Sequence, residues 1–291
     1  MQVIPLKYGT MFKRAFSDPD TFKQFTKDIL NINLNIDKVH TEYEYPEPIG
    51  FVRSQYDLFA EDVEQRIIVE IQQVKEGDFF DRFLYYHLIS MVEQVGGFKE
   101  YGFDRTVYTI VVLTSTPRDK SIDFSCAISD MNPIDERGKT IDVYPHRLLF
   151  LCPRQANENT PPKIKKWLDF IADSLDGEMD ITNYPDSYWQ KIITAIEKRT
   201  IDPALLSEIK DEKAWEEVKK RSKEEGKEIG EKIGLEKGRE EGREEEREKA
   251  EQKNLKQRQQ TIKKAKRMGL DNETIAELTG LSLTDIELFK N

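Results

Sequence analysis

Hydrophobic positions near the start of the chain follow a helical period. Large apolar side chains recur at near-helical spacing at Phe12, Phe16, Phe22, Phe25 and Ile29. This spacing predicts an N-terminal helical segment. The pair Asp18-Pro19 interrupts it, and Asp at a cap followed by Pro in a first turn is typical of a helix start. We therefore expect two short helices that are divided at this pair.

The pattern then changes to a period of two, which is typical of β-strands. Three such segments lie between residues 36 and 74, namely IDKVHTEYEY, FVRSQYDLFA and RIIVEIQQV. The polar run 61–65 between the last two predicts a hairpin turn. In the third segment the alternation puts Ile68, Glu70 and Gln72 on one face. The opposite face is apolar, so it can pack beneath a helix.

Helical spacing returns after Gly77 in FFDRFLYYHLISMVEQVGGF, and the pair Gly96-Gly97 suits a helix end. The continuous β-branched run RTVYTIVVLTST predicts a fully buried strand. IDFSCAIS and TIDVYPHRLLFLC predict further strands. These elements together predict a mixed α/β core of ordinary single-domain size.

Beyond this core the chain is predicted to be helical and then strongly charged. We expect a core at 1–160, a helical extension packed on it at 161–204, a charged glycine-repeat helix or linker at 205–258, and a small helical tail at 259–291. The glycines of the charged segment fall at 226, 230, 234, 238 and 242. Such a segment is either a solvated spacer or a self-associating helix, which would make the protein a homo-oligomer.

The charge distribution limits how nucleic acid could bind. The net charge is -10, of which -8 falls in residues 1–200 and -2 in residues 201–291. An acidic core argues against broad electrostatic capture of DNA. One basic stretch, residues 253–267, carries no acid, and it makes Lys263, Lys264, Lys266 and Arg267 candidate nucleic-acid contacts. The tail is similar to helix-turn-helix sequences, although its second helix is poor in basic residues.

The sequence offers no sign of membrane insertion or secretion. No run of about 18 apolar residues occurs, and the first residues lack the basic and apolar regions of a secretory signal. We therefore expect a cytoplasmic protein without a membrane partner.

Two acids stand near the ends of the strands that the hairpin joins. A hairpin brings such positions side by side, so Asp57 and Glu70 are expected to converge. An unpaired charge at the end of an apolar strand is costly, and a divalent cation would offset that cost. The sequence therefore favours a carboxylate site at this end of the sheet.

These residues resemble a known family. The spacing D-x12-E-x-Q, followed by an F-x-x-R-x-x-Y-Y helix and preceded by LKYGTMFKRAFSDPD, looks like PD-(D/E)XK nucleases, and more narrowly like the Rpn-type recombination-promoting nucleases and putative transposases. The resemblance implies a restriction-endonuclease-like mixed sheet flanked by helices. It also implies Mg²⁺, or another divalent cation, held by Asp57, Glu70 and the backbone carbonyl of Ile71. The implied activity is metal-dependent hydrolysis of DNA, linked to recombination, transposition or defence.

The resemblance also suggests roles for the neighbouring residues. Gln72 falls where the superfamily usually has Lys, and a carboxamide can orient water but supplies no positive charge. Arg82 is the candidate to supply that charge, unless it only pairs with a nearby Asp. Tyr86 and Gln94 resemble supporting positions on the same helix, although a Tyr among apolar residues is usually core. The alternative function is a catalytically degenerate nuclease fold that acts as a DNA-binding or oligomeric assembly module.

Overall fold

The computed structural model describes residues 1–46, 54–73, 79–95, 102–115 and 123–288. The chain divides into two compact units, Met1–Ala214 and Trp215–Asn291. None of the helices within the described ranges has an apolar stretch long enough to cross a membrane. The four-segment division expected from the sequence stays a prediction, and residues 205–214 fall in the same compact unit as the core.

A mixed sheet forms the centre of the first unit. In the described part of the chain its strands are β1 (His40–Glu44), β2 (Gln55–Glu61), β3 (Gln65–Gln72), β4 (Thr106–Leu113), β5 (Cys126–Asp130) and β6 (Arg147–Leu151). They lie in the order β1-β2-β3-β4-β6-β5. β3, β4 and β6 are mutually parallel, whereas β1, β2 and β5 pair antiparallel with their neighbours. This architecture confirms the predicted α/β class with a restriction-endonuclease-like mixed sheet.

Helices cover both faces of this sheet. Those of the first unit are α1 (Gly9–Phe16), α2 (Pro19–Leu30), α3 (Phe79–Val92), α4 (Pro162–Ser174), α5 (Ser187–Ile196) and the beginning of α6 (Pro203–Arg267). The main core joins α1, α2, α4 and α5 to one face, where Trp167 is fully buried with its ring centroid 5.0 Å from that of Phe25. Helix α3 covers the opposite face through Phe83 and Met91. Since β3 has buried side chains on both faces, its position in the sheet is fixed from two sides.

Several local predictions are confirmed. The N-terminal helices divide at Asp18, whose side chain accepts the backbone N–H of Thr21. The hairpin turn between β2 and β3 is held by Asp62, which accepts backbone N–H groups at 2.9 and 2.8 Å. Helix α3 follows β3 as expected, and the Gly96-Gly97 pair lies outside the described residues.

The last predicted strand is shorter than its hydrophobic pattern indicated. The segment from Thr140 was expected to be extended, but β6 begins only at Arg147. Thr140 forms an isolated bridge with Ile134. Pro145 has no N–H to donate to a ladder, which accounts for a strand that starts after it.

The first turns of α6 pack on the core despite the charge of the segment. Ile209 is buried in the main core, and Leu205 and Leu206 pack against it. The helix therefore begins as part of the first unit.

The second unit consists of the rest of α6 and two short helices. The five glycines of the repeat lie within one continuous helix, and a Cβ at any of them would meet open space. Helices α7 (Asn272–Thr279) and α8 (Leu283–Leu288) follow. Their small core is formed by Ile262, Ala265, Ile275 and Ile286. The repeat was expected to form either a helix or a linker, and it forms a helix. The solvated spacer and the self-associating helix both stay predictions.

Candidate active site

The site lies where the ladder between β2 and β3 ends. The two strands pair regularly as far as Leu58 and Val69. Past that point side chains take over the backbone bonds: the Asp57 N–H donates to Glu70 Oε1 at 3.1 Å, and the Ile71 N–H donates to Asp57 Oδ2 at 3.0 Å. Each carboxylate thus holds the backbone of the other strand. The two acids that the hairpin was expected to bring together do lie together.

Burial makes ionisation of this pair costly. Glu70 is only 5% exposed. Burial raises the pKa of Glu70 well above its ordinary value, and the negative charge of Asp57 raises it further. The pKa of Asp57 is also raised by burial, although the Ile71 N–H and the charges of Lys13 and Arg82 oppose the shift. Two adjacent carboxylates that are largely withdrawn from water form an arrangement that a cation would stabilise.

Gln72 and Arg82 meet beside the carboxylates. Arg82 donates from Nη2 to Gln72 Oε1, and Gln72 donates from Nε2 to the Gln73 carbonyl at 2.7 Å. The Arg82 guanidinium lies 4.6 Å from the ring centroid of Phe83. Its buried Nε has no hydrogen-bond partner among the described residues. Arg82 therefore stands next to the acidic pair with a donor still to be satisfied.

The two supporting candidates lie in different places. Tyr86 accepts a bond from Tyr56 at its carbonyl (3.2 Å) and packs edge-on against the Tyr56 ring. Burial raises the pKa of Tyr86, and the charge of Glu70 adds to the shift, which places Tyr86 beside the site. Gln94 instead bonds to the backbone of Arg105 on both sides of its amide. Arg105 precedes β4 at the end of the sheet opposite Glu70, so Gln94 is not brought into the site.

Three further charged residues border the site, and the sequence alone did not predict them as site residues. Lys13 of α1 lowers the pKa of both Asp57 and Glu70 and lies 2.6 Å from Glu42 of β1. Glu212 of α6 raises the pKa of Asp57. The segment that contains Lys13 was part of the family resemblance, but no local pattern in the sequence marks Glu42 or Glu212.

Glu212 caps the N-terminus of α1 from more than 200 residues away. Its Oε1 accepts the Gly9 N–H at 2.7 Å, and its Oε2 accepts the Thr10 hydroxyl at 3.3 Å. Tyr8, the residue at the usual cap position, does not cap the helix with its side chain. A Cβ on Gly9 would lie 3.6 Å from Glu212 Oε1 and 4.0 Å from Ile71 Cγ2, so this contact is adjacent to the site strand. The start of α6 therefore fixes the helix that carries Lys13.

The predicted nucleic-acid contacts lie in the second unit. Lys263, Lys264 and Arg267 are exposed on α6. Lys266 is half-buried, and its ammonium donates to the Ile286 carbonyl at 3.1 Å. Three of the four basic residues are thus available on the surface, and the fourth helps to hold the tail together.

The donor set limits which ion the first-unit site could hold. In the described ranges no group of three or more His, Cys, Asp or Glu side chains is arranged around one point. Asp57, Glu70 and backbone carbonyls offer only oxygen atoms, which are the ligands of Mg²⁺ and Mn²⁺ and not of soft metals. Burial is the main cause of the raised carboxyl pKa values, and a bound cation would oppose it. The residues therefore fit a hard divalent cation.

Removal of the Glu212 carboxylate should destabilise the first unit. We expect Glu212→Ala to lower the free energy of unfolding by about 1 kcal/mol, because it leaves N–H groups of α1 uncapped. Chemical denaturation measures this change. Glu208→Ala, an exposed position one turn earlier on α6, is the matched control and should have little effect. Equal losses in the two variants would show that Glu212 does not cap α1.

The metal-free protein should lose stability as the pH rises. Because the pKa of Glu70 is raised on folding, the folded chain binds this proton more tightly than the unfolded chain. Stability from this group is present below the ordinary glutamate pKa, about 4.3, and is lost as the pH rises through the folded pKa. We expect the Tm of wild type in EDTA to fall relative to that of Glu70→Gln across this window. Glu64→Gln, an exposed position in the hairpin turn, should follow the wild type, and parallel curves for all three proteins would contradict the prediction.

Comparison with known proteins identifies the family. Residues 10–226 match the family model described as PD-(D/E)XK nuclease family transposase. Neither a curated protein nor a solved structure matches the chain significantly. The matched region covers most of the chain, from α1 through the sheet into α6, and it includes both strands of the carboxylate pair. The chain belongs to the PD-(D/E)XK nuclease family transposases.

Proposed function

We propose that this protein is a divalent-cation-dependent endonuclease that hydrolyses phosphodiester bonds in DNA. The observation that carries the proposal is that each of the two carboxylates bonds to the backbone of the other strand, so that Asp57 and Glu70 lie side by side with raised pKa values. A nuclease-like activity follows from the family. The family description also supports a role in transposition or recombination, and defence is another setting for the same chemistry.

Asp57 and Glu70 would hold Mg²⁺ or another divalent cation, with help from the Ile71 carbonyl. Asp57 Oδ2 and Glu70 Oε1 already accept backbone N–H groups, which orient both carboxylates. The second oxygen of each is then the one that would ligate the ion. When bound, such a cation lowers the pKa of a coordinated water and offsets charge on the phosphate. The contribution of the chain is to hold two ionised carboxylates at a fixed separation in a partly dry setting.

Arg82 would bind the scissile phosphate, and Gln72 would orient Arg82. Gln72 accepts from one end of the guanidinium, which leaves the buried Nε as a donor without a described partner. A phosphate oxygen is a natural acceptor for such a donor, since guanidinium and phosphate match in charge and geometry. Gln72 thereby acts through its hydrogen bonds and not through charge. Tyr86 also lies on α3, and its contacts with Tyr56 attach the helix that carries Arg82 to β2.

Neutral replacements of the two acids should abolish cleavage. Asp57→Asn and Glu70→Gln keep the size and one carbonyl oxygen of each side chain but remove the charge that an ion needs. We expect plasmid nicking in Mg²⁺ to fall at least about 10²-fold in each variant, as for the loss of a group that stabilises transition-state charge. Glu64→Gln should cut at the wild-type rate. Equal cleavage by wild type and both acid variants would remove the assignment.

A second candidate function is DNA binding without cleavage. It is favoured by Gln72, which lacks the positive charge usual at that position, and by the exposed basic residues of α6. In this case the protein would bind DNA without metal and would not cut it. The cleavage assay separates the two functions, because a bound but intact plasmid in Mg²⁺ supports the second.

The tail residues provide a further test of DNA binding under either function. We propose that Lys263, Lys264 and Arg267 bind phosphates. Their joint replacement by Ala should weaken binding and reduce the slope of log K against log salt by about 0.9 for each phosphate that is no longer neutralised. Fluorescence anisotropy at several salt concentrations measures that slope. Replacement of the acid-flanked Arg243 and Arg247 by Ala is the control on the same helix, and an unchanged slope in the triple variant would exclude a phosphate-binding role for the three residues.

A further inference from the structure

Lys13 is held at the site by an ion pair with the neighbouring strand. It lies on α1, and its ammonium is 2.6 Å from Glu42 Oε1. The Lys13 side chain is only 18% exposed, whereas that of Glu42 is 60% exposed. The stem of Lys13 is thus largely covered by the protein, while its ion pair with Glu42 lies at the surface and can be reached by a substrate.

The strand register explains why this ion pair lies next to Asp57. β1 and β2 pair through Thr41–Leu58 and Tyr43–Tyr56, so Glu42 stands opposite Asp57. Glu42 has a positive φ of 54°, which is unusual for a residue with a side chain. The backbone of β1 is therefore distorted at its position opposite Asp57. Strain of this kind concentrates at functional sites.

The other end of α1 is fixed as well. Glu212 caps Gly9 and Thr10, and the apolar side of α1 is fully buried through Met11 and Phe12. Lys13 projects from a helix held at its N-terminus and along its length. Its position relative to the carboxylates is thus set by packing before any substrate arrives.

Lys13 and Arg82 approach the carboxylate pair from opposite faces of the sheet. Helix α1 packs with the main core on one face, and α3 lies on the other. Helix α1 contacts β2 and β3, the two strands that carry the acids, and Arg82 bonds to Gln72 of β3. An ammonium has three donors, so Lys13 can keep its bond to Glu42 and still bind another oxygen.

We propose that Lys13 is a catalytic residue that supplies, from α1, the positive charge that Gln72 does not provide, by binding an oxygen of the scissile phosphate while Glu42 holds it in place. This inference rests on the proposed nuclease function. Lys13 contributes fixed charge where negative charge grows on the phosphate, in a setting that excludes part of the solvent. Glu42 and Glu212 are positioning residues that act through Lys13 and α1.

The test compares three variants. Lys13→Met removes the charge but keeps an unbranched stem, Lys13→Arg keeps the charge, and Lys27→Met alters an exposed lysine of α2 as the control. We would measure single-turnover plasmid cleavage at saturating Mg²⁺, together with the rise in Tm caused by Mg²⁺ without DNA. We expect Lys13→Met to cut about 10²-fold more slowly, Lys13→Arg to recover part of that loss, and Lys27→Met to match wild type.

The Mg²⁺ titration separates catalysis from structure. Loss of a neighbouring positive charge should leave the Mg²⁺ concentration for half of the Tm rise unchanged or lower, because repulsion of the ion is removed. Wild-type cleavage by Lys13→Met would overturn the inference, as would the loss of both cleavage and the Mg²⁺-induced Tm rise. A wild-type protein that cuts no DNA would refute the nuclease proposal itself, and with it the catalytic role of Lys13.

Discussion

The structure depends most on two carboxylates that join β2 and β3 where the backbone ladder between these strands ends. Past Leu58 and Val69 the ladder between β2 and β3 is replaced by bonds from Asp57 and Glu70 to the opposite backbone. The strands lie in the interior of the sheet, so both acids are largely drawn out of water. Such a like-charged pair is unfavourable unless a proton or a cation neutralises it. The fold thus builds a site in which the negative charge of the two acids is not balanced.

The surrounding elements reduce that deficit without removing it. Lys13 and Arg82 each favour ionisation of the carboxylates, while Glu212 opposes that of Asp57. Lys13 is itself paired with Glu42, and Arg82 is shared with Gln72. Both cations are therefore oriented by a bond to a neighbouring side chain. Such an arrangement is suited to a site that takes a metal ion and a phosphate together, since it holds donors and charges in position for both.

The sequence predicts the local part of this arrangement well. Alternation in RIIVEIQQV and the short turn before it suffice to bring Asp57 and Glu70 side by side, because a tight hairpin fixes register. The helical period of α3 likewise puts Arg82 near the end of β3. Gln94 lies outside the site because α3 runs antiparallel to β3, and Gln94 follows the end of α3 at the other end of the sheet.

The remote part of the site has no signal in a single sequence. Glu42 is significant only because β1 lies beside β2, and Glu212 because α6 returns to α1. The high charge of the segment after residue 205 favours a solvated helix, and it conceals the three apolar residues, Leu205, Leu206 and Ile209, that attach its first turns to the core. Long-range pairing of this kind is decided by packing, which periodicity does not describe.

The proposed chemistry requires that Asp57 and Glu70 share one divalent cation. A crystal structure of the protein grown with Mn²⁺ tests it most directly, through the anomalous signal of the ion. We expect one Mn²⁺ with oxygens of Asp57 and Glu70 at about 2.1 Å, and no such ion in Glu70→Gln. Mn²⁺ bound elsewhere while this pair stays without metal would contradict it.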